Sequence, residues 1–332
     1  MTWLTWRQYR AQFAVGTAIL AALCLLLLLT GLQFVSQYHT IITECASGAH
    51  NGQNGVNCST GGGLFSGGPT VGFVSLTLLA TPVLAGLFLG APMVAAEFEA
   101  GTTQFAWMQG ITRARWLAVK AGWLLLAAAA WGGILAALTT WWASPTNAEH
   151  GSEFYPGRFD VLYLVPVAYA GFAMALGICA GALIRRTVPA MAVTLGGFIA
   201  ARVAVTLWLR PHYLSAVTVV RNLPAQTRLT GSFWLISQGT RNPAGQLIPV
   251  PENQPVAFGV PVSSLPKACA GLANSPDVTS ACRAALTGFR SFVTYQPASR
   301  FWAFQGIETG VFVVLAAILL TVTAVALIRR DA

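Results

Sequence analysis

Six stretches of the chain, 14–35, 70–96, 121–143, 161–184, 188–209 and 309–328, are apolar almost without interruption, and only the fifth holds a charge, Arg202. Each has about the 20 residues that a helix needs to cross a hydrocarbon core of about 30 Å. The pattern predicts six transmembrane helices. The first run exceeds a signal-peptide core of about 7 to 15 residues and is read as a retained helix. Between the second and third runs the pattern changes character: EFEAGTTQFAWMQGITRARWLAVK, residues 97–120, opens with acids, closes with bases and carries Gly101 and Gly110 as dividers of short helical pieces. It reads as a surface element joining two spans.

Composition agrees with that pattern. Charged residues are 9% of the chain and hydrophobic ones 55%, with a mean hydropathy of +0.63, against about 25% charged in soluble domains. The fold class predicted is an all-α integral membrane protein. Basic residues orient it, because Lys and Arg in short loops resist translocation. With the N-terminus inside, Arg7, Arg10, Arg113, Arg115, Lys120, Arg185, Arg186, Arg329 and Arg330 fall on the cytoplasmic side, whereas the two short outer loops contribute only Arg158. Both termini are thereby placed inside. The net charge of +9 is absorbed by anionic lipid and by the outer loop, and with no clustered basic stripe it points to no nucleic-acid partner.

The segment 210–300 is too long for a connector. It carries frequent prolines, which argue against one continuous sheet, a short apolar run at 233–236 and a helix expected around 279–289. The expected organisation is 1–209 as helices one to five, 210–300 as a small extracellular domain, and 301–332 as helix six with its tail. The domain reads equally as an irregular cap or as a substrate-receiving module. Four cysteines fall outside, where thiols pair: Cys45 with Cys58 and Cys269 with Cys282 are the simplest pairing, although sequence does not fix connectivity. Cys24 and Cys179 sit within spans. His39, Cys45, His50 and Cys58 match no standard zinc spacing.

Catalytic motifs are missing. The chain has no HExxH, no GxSxG and no GxxxxGK[ST] phosphate loop, so it does not hold ATP in the usual way. Ser264 to Lys267 spells S-x-x-K, but with Pro266 inside it and no KTG companion. No Asp or Glu sits centrally in any apolar run, as an ion-coupled carrier would need. Arg202, with Asp160 and Glu308 at the ends of the fourth and sixth runs, suggests a structural ion pair of Arg202 with one of those acids. Gly86 with Gly90, Gly177 with Gly181 and Gly306 with Gly310 are small-xxx-small steps that let helices approach. Pro82, Pro92 and Pro166 would kink their helices.

In the 97–120 element, Phe98, Phe105, Trp107, Met108 and Trp116 supply apolar contact, either to a soluble partner or to the membrane interface. Its acids followed by Gly101 and Thr102, then Gln109, Arg113, Arg115, Trp116 and Lys120, resemble the loop after the second span in ATP-binding-cassette permeases of the type-2 class. The N-terminal WLTWRQYRAQ, LIRRTVPAMAVTLGGFIAARVAV from Leu183 and YQPASRFWAFQGIETG from Tyr295 resemble actinobacterial permeases of this kind. The resemblance implies a multi-pass subunit of a bacterial cell-membrane exporter that forms the substrate pathway. It also implies a short cytoplasmic coupling helix in this loop, a second permease subunit, identical or related, and two copies of a separate ATPase subunit. ATP and Mg would be bound by that partner, and this chain itself would hold no cofactor. The docking residues it suggests are Glu97, Glu99, Phe105, Trp107, Met108, Arg113 and Arg115. A membrane sensor or immunity subunit, whose extracellular domain recognises a ligand, is the alternative.

Overall fold

The computed structural model describes residues 2–46, 69–101, 112–150, 152–154, 156–223, 233–249, 256–257, 260–269 and 279–329. The chain divides into two compact units, one formed by Met1–Glu149, Pro156–Arg210 and Trp302–Ala332, the other by His150–Tyr155 and Pro211–Phe301.

The first unit holds helices and no strand among its described residues. Its elements are α1 (Thr2–Ala46), α2 (Pro69–Ala85), a π-helical turn (Gly86–Gly90), α3 (Ala91–Glu99), α4 (Arg113–His150), α5 (Pro156–Phe159), α6 (Val165–Ile184), α7 (Thr187–Ala204), a second π turn (Val205–Leu209) and α9 (Phe301–Arg329). Six of its helical segments are long and apolar enough to cross a membrane, from Phe13–Gln33 to Ala298–Arg329, and they coincide with the six runs of the sequence. Span α6 is the hub: 72% of its apolar window is buried, against 11% for α1.

Glycine explains that hub. A Cβ on Gly177 would fall 2.6 Å from the Gly86 carbonyl oxygen and 2.7 Å from the Ala91 nitrogen, and one on Gly181 would fall 2.7 Å from the Ala91 carbonyl oxygen. The two small-xxx-small steps therefore interlock, backbone against backbone, at the π turn. Gly306 and Gly310 differ, since nothing lies within 4 Å of an added Cβ at either. Pro166 stands in the first turn of α6, where proline is tolerated, whereas Pro92 lies within the continuous Val74–Glu99 span, just after its π turn. Pro82 lies inside α2.

The second unit contains β1 (Val217–Asn222), β2 (Phe233–Arg241), β3 (Leu247–Pro249), β4 (Val256–Ala257), β5 (Val260–Pro261), α8 (Ser280–Ala285) and β6 (Arg290–Pro297). Four strands form one antiparallel sheet in the order β1-β6-β2-β3, with a bulge between Leu235 and Ser237. β4 and β5 pair as a separate two-stranded sheet, so the segment does not form one continuous sheet, and in the larger one Pro249 and Pro297 close β3 and β6 without interrupting them. Thr279 caps α8 by accepting from the Cys282 amide at 3.3 Å. Cys269 and Cys282 are joined as a disulfide and sit with Leu223, Val260 and Leu286 in a small buried core.

Candidate functional site

The bundle has charged side chains at both of its ends. At one end α3 stops at Glu99 and α4 starts at Arg113, so Glu97 and Lys120 are not on a surface element, as the sequence suggested, but inside the helix ends. They form an ion pair with side chains only 8% and 5% exposed. Neither a lone acid nor a lone base would be stable there, and the pairing removes the conflict. Residues 102–111, between the two helices, lie outside the described residues. Gly101, at φ +66°, gives the chain its left-handed exit from α3.

Around this pair, four helix ends are tied together. Phe98 meets Trp116 edge-on at 6.0 Å between ring centroids. The Lys120 ammonium lies 4.5 Å from the Trp116 ring centre, and the Arg185 guanidinium 5.1 Å from that of Phe98. Glu99 accepts from the Thr187 hydroxyl at 2.6 Å and from the Thr187 amide at 3.2 Å. It thus caps α7 from another helix, at the end where the helix dipole favours an anion. Arg113 donates to the Leu327 carbonyl of α9 at 3.3 Å. Thr112 starts α4 by accepting from the Arg115 amide at 3.4 Å, and the Arg115 side chain is exposed. Phe105, Trp107 and Met108 lie outside the described residues.

The opposite end holds a denser network. Arg202 donates to Asp160 at 2.8 Å, and Arg210 donates through Nε to Glu308 at 2.8 Å and through Nη2 to both carboxylates. The Tyr169 hydroxyl donates to Glu308 and lies 3.3 Å from Asp160 Oδ1. Two acids and two bases cancel, as a site inside a membrane span requires. Arg158, on α5 outside the spans, is held below the ordinary guanidinium value by burial and stays cationic.

Of the two acids expected for Arg202, Asp160 is its partner, and Arg210 and Tyr169 join the network with no signal in the sequence pattern. By sequence alone Arg210 falls at the start of the loop after the fifth run. Eight residues of α-helix would put it about 80° away from Arg202, but the one-residue insertion of a π turn brings that to about 20°. The turn Val205–Leu209 therefore sets both guanidinium groups on one face. Cys58 lies outside the described residues, and so does its expected pairing with Cys45. Among the described residues no group of three His, Cys, Asp or Glu side chains is placed to hold a metal ion.

The bundle of six spans and the break between α3 and α4 suit a transport subunit, and the comparison with known families decides which. Residues 17–210 match the family described as ABC-2 membrane transporter related. The chain belongs to that family. This makes it a multi-pass membrane protein of the ABC-2 permease type, a transport component that is not itself an ATPase and whose family implies association with an ATPase subunit. No curated protein and no solved structure matches the chain.

Proposed function

We propose that this chain is the permease subunit of an ATP-binding-cassette exporter, forming the substrate pathway and driven by two copies of a separate ATPase subunit. The observation that carries the reading is the clasp at the break after α3. Glu97 with Lys120, Glu99 with Thr187 and Arg113 with Leu327 tie both sides of the 100–112 stretch into the spans. A force applied to that stretch is passed to α3, α4, α7 and α9 with little slack, because buried pairs and caps have discrete arrangements.

In this proposal the 100–112 stretch is the coupling helix and faces the cytoplasm, with both termini. Phe105, Trp107 and Met108 form its docking surface, and Arg115 borders it. ATP and Mg stay with the partner, whose closure on nucleotide moves the element, tilts the second and third spans and opens the cleft outward. The 210–300 segment stands outside, and a second permease copy, identical or related, completes the path.

The test is affinity purification in mild detergent, with mass spectrometry of what accompanies the chain. An ATPase subunit is expected with the wild type and absent after Phe105→Asp with Met108→Asp. Recovery of that subunit undiminished with the double variant removes the docking assignment. A chain that purifies alone under several gentle conditions removes the exporter reading and favours a membrane sensor.

A further inference from the structure

A groove of about 760 Å³ lies among α1, α2, α4 and the start of α6, within the range of about 300–1,000 Å³ that takes a small molecule. Tryptophans on α4 create it. Trp131 stands against Gly16 of α1, where an added Cβ would fall 2.7 Å from the indole ring, and it meets Phe13 edge-on at 6.2 Å. Further along α1, Trp142 donates its indole N–H to the Thr30 hydroxyl at 3.1 Å. Between these contacts Leu27 of α1 is buried against Leu78 and Leu135, which closes the far side of the groove. On α1 the groove is lined from Val15 to Leu23, beside the Trp131 contact.

Its lining decides what it takes. Three threonines are its polar side chains, and two of them, Thr81 and Thr139, donate their hydroxyls within their own helices, to the Thr77 carbonyl at 2.8 Å and the Leu135 carbonyl at 2.6 Å. The remaining walls are Leu20, Leu23, Leu78, Leu135 and their apolar neighbours. Walls this apolar suit a hydrocarbon, and a polar ligand would find few partners for its hydrogen bonds. The groove also opens sideways: Val15, Ile19, Leu84 and Phe88 line it while 61%, 57%, 44% and 56% exposed, which makes it continuous with the face that the spans turn to lipid. Along α4 it runs from Ala128 to Thr139, about 17 Å at 1.5 Å per residue. One leaflet of hydrocarbon is about 15 Å deep, half of about 30 Å.

We infer that this groove receives the alkyl tail of an amphiphile, drawn sideways from the bilayer between α1 and α2, and that tail-bearing amphiphiles are the class of substrate the permease moves. The substrate part rests on the exporter reading above; the binding part does not. The headgroup stays at an end of the groove, because three threonine hydroxyls are too few to replace water around it.

The test uses the purified full chain in lipid nanodiscs with a long-chain fatty acid carrying a diazirine in its tail. After irradiation, adducts are mapped by mass spectrometry. Adducts at Leu20, Leu23 and Leu135 are expected to exceed those at Val313 and Ile318, which lie on the exposed face of α9, by at least tenfold. Ile19→Trp and Leu84→Trp, at the exposed mouth where a larger ring is accommodated by lipid, are expected to cut the groove adducts at least fivefold and to leave the α9 adducts unchanged. Equal labelling of groove and α9, or labelling indifferent to both variants, overturns the binding site. With the ATPase partner present, tailed amphiphiles are expected to raise ATP hydrolysis and the tailless headgroup to have no effect. Groove labelling without that stimulation overturns the substrate class alone, while failure of any ATPase to co-purify overturns the exporter reading and leaves the labelling result standing.

Discussion

Arg210 and Glu308 meet across the bundle, Nε to Oε2 at 2.8 Å, with side chains 2% and 0% exposed. Each is the main reason that the other is tolerated at that depth. Glu308→Gln keeps the shape but leaves two arginines facing Asp160 alone, and breaking a buried pair in this way costs about 3–5 kcal/mol. A clear fall in the melting temperature of the detergent-purified chain is the expected result. Arg202→Lys is expected to be milder, because a single donor to Asp160 can be retained. Equal melting of Glu308→Gln and wild type would show that the network contributes no stability.

The Glu97 and Lys120 pair gives a second prediction, with a charge-exchange control. Glu97→Gln and Lys120→Met each leave one buried charge uncompensated, whereas Glu97→Lys combined with Lys120→Glu restores the pair in reverse. Both single variants are expected to melt earlier, and the exchanged double variant to recover at least half of the loss. A double variant no better than the singles would make the position of each charge, rather than their pairing, the cause. Co-purification of the ATPase subunit, measured alongside, reports whether the clasp also governs coupling.

Much of this bundle is legible in the sequence, because an uncharged run of about 20 residues has few stable alternatives to a membrane span. The charged ends are less so. Glu97 and Lys120 each look like an interfacial charge until the two helices are seen to run on and bring them together, a contact between residues that no local pattern announces. Arg210 was hidden by a π turn that shifts the helical face by one residue, and Tyr169 by its position in an otherwise apolar run. In the second unit the prolines do argue against one continuous sheet, and two are formed, but their number hides a four-stranded ladder because Pro249 and Pro297 only close their strands. The two interlocking glycine steps were visible as a motif, but which pairs pack and which face outward depends on the partner helix.

That difference between glycines is itself testable. Gly177→Val must displace the Gly86 carbonyl, since even a Cβ would lie 2.6 Å from it. Overpacking of this kind costs about 1–3 kcal/mol or more. Gly310→Ala meets nothing within 4 Å and removes a flexible residue from the interior of α9, where alanine is favoured by about 1 kcal/mol. Thermal melting of the two variants is therefore expected to move in opposite directions. Destabilisation by Gly310→Ala would mean that its face is in contact with something, such as a second permease copy.

The Cys269–Cys282 disulfide spans a sequence separation of 13, and closing a loop of that size constrains the unfolded chain by about 3 kcal/mol. The core it joins is small, five buried residues with Leu265 and Phe289 packed against them, so the bridge is a large part of what holds that corner together. Cys269→Ser with Cys282→Ser is expected to make the 211–301 segment sensitive to limited proteolysis at a temperature where the wild type resists. The spans rely on glycine contacts and buried pairs that the bridge does not touch, so their cleavage pattern should not change. Resistance of the segment without its bridge would show that the antiparallel sheet β1-β6-β2-β3 suffices to hold the unit, and would reduce the disulfide to a local clip.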